Sequence, residues 1–217
     1  MSDSHAALVT GGTGRVGSAV ARRLETDGFR VLAAGRRDGD LSDPAATRSL
    51  VGRAVDELGG LDLVVHAAGE GFVPRPVDEV TEEDWDAAFG ATAKGSFFLA
   101  QAAAPHLRES DLGLLVLLED VAAYQPWPAF APHCAAKAAQ AMLTRVLAKA
   151  LAPDVRVCGV APGPVAVEAG QEERRAAETL LGRIGTPDDV AEAVAYLVRA
   201  PFVTGSTLVV DGGRLLT

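Results

Sequence analysis

The chain has 217 residues, 48% of them hydrophobic and 23% charged, with a net charge of −9, which suits one globular domain with a substantial core. The acidic balance argues against a nucleic-acid surface or an anionic membrane surface, both of which reward excess Lys and Arg. No apolar run is long enough to span a membrane, and the start Met-Ser-Asp-Ser-His has no signal-peptide pattern. Cys134 and Cys158 have neither metal-ligand spacing nor a disulfide framework, so a cytoplasmic single-domain protein without a metal is expected over residues 1–217.

Ala6–Val9 is a short apolar run entering a Gly cluster, the pattern of a buried parallel strand running into a tight turn. A helix follows over Arg15–Thr26, with Val16, Ala19, Val20 and Leu24 on one face and Gly28 beyond its end. Val31–Ala34 reads as the second strand. Leu61–His66, Leu112–Leu118, Val155–Val160 and Thr207–Val210 read as four more. Helical patterns over Pro44–Leu58, Thr81–Leu107, Pro132–Leu151 and Pro187–Val198 separate them. Alternating strands and helices predict an α/β, Rossmann-type doubly wound parallel sheet. Only 26 residues lie between Ala34 and Leu61, and one helix takes most of them. A second crossover does not fit, so six strands are expected.

The turn Thr10-Gly11-Gly12-Thr13-Gly14-Arg15-Val16-Gly17 links the first strand to the first helix. Glycines there let a pyrophosphate approach the backbone at a helix N-terminus, where free amides and the helix dipole favour anions. Arg36 and Arg37 follow the second strand, where an acidic residue would bind the ribose of NAD. Two guanidinium groups suit the 2′-phosphate of NADP instead, so NADPH is the expected cofactor and NADH the less suited one.

Further downstream, Asp120 is followed thirteen positions later by His133, and Lys137 lies four beyond that. With the Gly-rich turn, this spacing resembles the short-chain dehydrogenase/reductases, whose active site is a Ser, a Tyr and a Lys. Asp120 stands in the place of that Ser and His133 in the place of that Tyr. The resemblance covers nearly all of residues 6–214. It implies that Asp40 and Leu41 lie by the adenine, and that Ala67, Ala68 and Gly69 pass the cofactor at the end of a strand. It places Pro162, Gly163 and Val165 at the nicotinamide and Lys137 at its ribose. It also makes residues 164–181 a substrate loop, with a lid helix over Glu172–Leu181 whose glutamates face solvent. His66 reads as structural. Thr92 takes the place of an Asn that supports the family's water relay. The two long helices imply a homo-oligomer, a tetramer by resemblance and a dimer as the alternative.

Arg15 and Asp120 together resemble the pteridine reductases and dihydromonapterin reductases of that superfamily. The substrate site implied is Arg15, Phe72, Asp120, Tyr124, Trp127, His133 and Pro164, with Phe72 stacking on a planar heterocycle. An imidazolium can donate a proton, and a carboxylate stabilises a developing iminium. The expected reaction is therefore NADPH-dependent reduction of C=N or C=O in a small planar substrate. Two alternatives stand beside it: a general carbonyl reductase or alcohol dehydrogenase of secondary metabolism, and an NADP-binding or scaffolding relative with little turnover.

Overall fold

Six strands are observed: β1 (Ala6–Thr10), β2 (Arg30–Ala34), β3 (Leu63–His66), β4 (Leu114–Leu118), β5 (Arg156–Pro162) and β6 (Thr207–Val210). They form one parallel sheet in the order β2-β1-β3-β4-β5-β6. The helices are α1 (Arg15–Thr26), α2 (Pro44–Leu58), α3 (Glu82–Phe89), α4 (Gly95–Leu107), α5 (Ala131–Leu151), α6 (Glu172–Ala176) and α7 (Pro187–Arg199). This computed structural model describes residues 4–69, 73–167 and 169–217.

The strands alternate strictly between two cores, as the period of two requires. Ala7, Val9, Leu63, Val65, Leu114, Val116, Cys158 and Val160 join α1 and α7 in one cluster. Leu8, Val64, Leu115, Leu117 and Val157 join α2, α4 and α5 in the other. Helix boundaries follow local chemistry. Asp43 caps α2 through the Ala45 and Ala46 amides, Pro44 opens it, and Gly59 closes it in the left-handed region at φ 72°. Thr186 and Asp189 form a reciprocal capping box on α7. As the short Ala34–Leu61 interval predicts, α2 crosses directly from β2 to β3, so β2 is the edge of the sheet.

Two expected helices differ. Thr81–Leu107 is interrupted by a π-helical turn at Gly90–Lys94, which carries Thr92 into the interior. The lid helix expected over Glu172–Leu181 ends at Ala176, because the Thr179 hydroxyl donates to the Ala176 and Arg183 carbonyls and folds the chain into turns. Among the described residues, no helix is long and apolar enough to cross a membrane.

His66 ends β3 with no exposed surface. Its Nε2 lies 3.0 Å from the Ala91 carbonyl and its Nδ1 lies 2.8 Å from the Thr10 hydroxyl. A carbonyl only accepts, so Nε2 carries the hydrogen and Nδ1 accepts from Thr10. One neutral ring thus joins β1, β3 and the π turn. Burial is the main reason its pKa falls from 6.5 to about 4. Between those two values the unfolded chain binds a proton that the folded chain refuses, so stability is lost as pH falls through that window. The loss expected is roughly 3 kcal/mol. Thermal denaturation from pH 7 to pH 4 should show it, and His66→Asn should flatten the slope. An unchanged slope in that variant would assign the acid sensitivity elsewhere.

Candidate active site

From β1 the chain crosses first to β2 on one side, and β3 then pairs on the other. This divergence opens a crevice at the carboxyl ends of the strands, the position at which doubly wound sheets bind ligands. Gly11 turns there at φ 67°, and a Cβ on it would lie 2.6 Å from the Ala67 carbonyl group. A Cβ on Gly17 would lie 2.2 Å from the Gly11 oxygen, so the first turn of α1 can press against the loop only as glycine. Gly14 begins α1 without a side-chain cap, leaving that end suited to an anion.

The resulting cleft is about 450 Å³ and is lined by Gly11, Thr13, Gly14, Arg36, Asp40, Leu41, Ala67, Ala68 and Gly69. Arg37 is exposed beside Arg36 and is not part of the lining, while Val16 packs its side chain on the core. The acidic residue of this turn, Asp38, is turned back on its own loop. Its oxygens accept from the Gly35 amide and from Arg53, each at 2.8 Å. The Gly35 amide, then Arg53, holds its carboxyl below the usual range. Arg36 is the basic side chain that lines the cleft beside Gly35.

Arg15 reaches the other way, its Nη1 donating to the Val167 carbonyl at 3.0 Å. It ties the Gly-rich turn to the loop after β5. Pro162 ends β5, and the Gly163 amide continues the ladder to Val210. Pro164 and Val165 line a different cavity, of about 380 Å³, with Leu180, Leu181 and Val209. Phe72, Gly71, Glu70 and Glu168 lie outside the described residues.

Asp120, His133 and Trp127 do come together. Asp120 follows β4 and caps the short turn Val121–Ala123, its Oδ1 accepting from the Ala122 amide at 2.8 Å. Its Oδ2 lies 3.5 Å from His133 Nε2. The side chains are 24% and 11% exposed respectively, and the Nε2 atom itself is buried, so the pair is shielded from solvent. Trp127 runs nearly parallel to the imidazole, with centroids 6.5 Å apart and planes 10° apart.

Lys137 stands one turn along α5 from His133 and is buried. Its Nζ donates to the Leu118 carbonyl at 2.8 Å and to Gln140 Oε1 at 3.0 Å. Burial lowers its pKa, and the Asp120 and then the Glu119 carboxylates oppose that. Tyr124 is directed to another partner. Its hydroxyl donates to Glu119 Oε2 at 2.9 Å, and burial, with the Glu119 charge beside it, pushes the phenol up. It stays protonated and serves as a half-exposed wall.

Glu119 was not legible as a site residue, because a lone Glu after a strand carries no signal. It is 3% exposed and accepts hydroxyl hydrogens from Tyr124, Thr144 at 2.6 Å and Thr207 at 3.1 Å. It thereby ties α5 and β6 to the end of β4. Gln140 did have a signal: it lies three residues after Lys137 on the same helical face.

The family described as Enoyl-(Acyl carrier protein) reductase matches residues 13–214. The 4-formylbenzenesulfonate dehydrogenase of Comamonas testosteroni is 36% identical, over 96% of this chain and 96% of that protein. This chain is a short-chain dehydrogenase/reductase. Its fold superimposes on the 3-ketoacyl-(acyl-carrier-protein) reductase of Brucella melitensis complexed with NADH, with a TM-score of 0.91, 27% identity and coverage of 97% and 98%. A Burkholderia cenocepacia short-chain dehydrogenase in complex with NADP gives a TM-score of 0.89 at 29% identity, covering 97% of each chain. The family makes this protein an NAD(P)-dependent oxidoreductase.

The contact between Glu119 and β5 can be tested directly. A Cβ on Gly159 would lie 2.1 Å from Glu119 Oε1 and 2.8 Å from the Thr207 hydroxyl. Gly159→Ala should cost about 2 kcal/mol or more, since neither neighbour can retreat without breaking a buried bond. Chemical denaturation measures it, and a variant as stable as the parent would show that Glu119 is not pressed on β5.

Proposed function

We propose that this protein is an NADPH-dependent carbonyl reductase in which an Asp120–His133 couple replaces the family's phenol as proton donor. The carrying observation is the 3.5 Å approach of Asp120 Oδ2 to His133 Nε2 at the carboxyl end of β4, beside the anchored Lys137. By the spacing of the resemblance, the ring tip and the carboxylate would stand in for the family's Tyr and Ser oxygens.

The cofactor cleft suits a dinucleotide with a 2′-phosphate. Its Gly-rich floor leaves no Cβ in the way, Arg36 offers charge beside Gly35, and Asp38 is tied to Arg53 instead of competing for the ribose hydroxyl. Arg36 would hold the phosphate, Gly11, Thr13, Gly14 and the start of α1 the pyrophosphate, and Lys137 the nicotinamide ribose. NADPH supplies a hydride there when bound. His133 Nε2 then gives its hydrogen to the carbonyl oxygen, and the ring becomes neutral. Asp120 faces the ring at 3.5 Å. Lys137 adds positive charge and Trp127 walls the site against water. Residues 164–181 close over the substrate, with Arg15 tethering that loop at Val167.

A second reading, reduction of C=N in a pterin-like or cyclic imine, draws on the same distance. A heteroatom bonded to Nε2 would sit against the Asp120 carboxylate, which suits a cationic iminium better than an alkoxide. Oxidation of NADPH by aldehydes and ketones, cyclic imines and dihydropterins separates the readings. Turnover confined to carbonyl compounds is expected. Activity confined to imines would install the second reading, and none on any panel would defeat both. His133→Phe should lower kcat by about a hundredfold or more, while His133→Tyr should retain carbonyl reduction. Loss in both would mean the ring tip is not the donor. Arg36→Ala should raise KM for NADPH more than about tenfold and leave NADH unchanged; equal effects on the two would place the phosphate elsewhere.

We also propose a homo-oligomer formed through α4 and α5. Phe97 on α4 and Met142 and Val146 on α5 are 40%, 54% and 51% exposed, a large apolar surface for helices this central. Val146→Asp should shift the species seen by analytical ultracentrifugation to smaller mass. An unchanged mass would move the interface off these helices.

A further inference from the structure

Behind Lys137 runs a buried polar chain that none of the site's chemistry above requires. Gln140 Oε1 accepts from Lys137 at 3.0 Å, and Gln140 Nε2 donates to Ser96 Oγ at 2.9 Å. Ser96 Oγ in turn donates to the Thr92 carbonyl at 2.6 Å. Gln140 and Ser96 have no exposed surface, and Thr92 is 3% exposed. The last acceptor belongs to the π turn Gly90–Lys94, whose wider winding sets that segment of the helix.

Donor and acceptor roles are fixed along the whole chain. An ammonium has three hydrogens and no lone pair, so the Gln140 oxygen must face it and the amide hydrogens must face away. Ser96 then receives from Gln140 and gives to a carbonyl, which has no hydrogen to return. Every bond runs from the lysine towards Thr92. Two of the three Lys137 hydrogens are committed, to Leu118 and to Gln140, and one is left.

We infer that Gln140 is the positioning residue for Lys137: its amide, oriented by Ser96 and the Thr92 carbonyl, stops the ammonium from rotating and leaves one fixed hydrogen for the cofactor. This rests on the functional reading above, in which Lys137 holds the nicotinamide ribose. The lock also closes the rear of the lysine to proton traffic. A proton entering from that side would have to come from the Thr92 carbonyl oxygen, which has none to give.

The test compares Gln140→Leu, Gln140→Glu and Ser96→Ala with the parent. Two readouts are used: the dissociation constant for NADPH by fluorescence titration, and hydrogen exchange of the Lys137 ammonium by nitrogen-15 NMR. Gln140→Leu keeps the volume but removes the acceptor, and should weaken NADPH about tenfold and abolish the protected ammonium signal. Gln140→Glu restores an acceptor and should return NADPH affinity to within about threefold of the parent and recover the signal. Ser96→Ala, which only frees the amide to rock, should fall between. It also serves if Gln140→Leu does not fold. Parent-like NADPH affinity with a protected ammonium in Gln140→Leu would overturn the inference, as would failure of Gln140→Glu to rescue. If the parent itself does not bind NADPH, the functional reading fails first, and the ammonium signal still decides whether the lock exists.

Discussion

Lys137 is a cation with 8% of its surface exposed, and burial of that kind is tolerated only with hydrogen-bonded partners and nearby opposite charge. The Leu118 carbonyl and the Gln140 amide supply the first, and the Asp120 and Glu119 carboxylates, consecutive at the end of β4, supply the second. This arrangement fixes α5 against β4 and therefore the distance from His133 to Asp120. In the proposed reaction the same lysine would link the Asp120–His133 pair to the cofactor.

Glu119 extends that constraint to the far side of the sheet. A buried carboxylate held by three hydroxyls binds α5, β6 and the Tyr124 loop into one rigid floor, and Gly159 is the residue that makes room for it. The Tyr124 hydroxyl is thereby committed to Glu119. Around the proposed donor stand Asp120 facing the ring, Trp127 parallel to it, and Gln140 behind the lysine. The short Ala34–Leu61 connection is a separate economy. It leaves β2 as the sheet edge without disturbing β1 and β3, between which the cleft opens.

Much of this was readable in the sequence because the parallel sheet imposes simple patterns. Buried strands such as Leu114–Leu118 are continuous apolar runs, and caps such as Asp43-Pro44 and Thr186-Pro187 mark helix starts within a residue. The six-strand count followed from the six apolar runs and the short Ala34–Leu61 interval. The π turn at Gly90–Lys94 was not readable, since its carbonyls are engaged by His66 from β3 as well as by Ser96 from the next turn. Nor was the early end of α6, which a Thr179 side chain decides. At the site, the spacing of Asp120, His133 and Lys137 was legible by resemblance, whereas Glu119 and Asp38 needed coordinates, because a carboxylate's role depends on what it faces.

His133, facing Asp120 at 3.5 Å, is proposed as the group that gives up the proton. The most direct measurement is a carbon-13 NMR titration of the His133 ring in the NADPH complex, set beside kcat for a carbonyl substrate over the same pH range. The account predicts that the ring is protonated where reduction is fastest, and that kcat falls as the ring loses its proton. A ring that is neutral throughout the active range, with kcat indifferent to its titration, would contradict it.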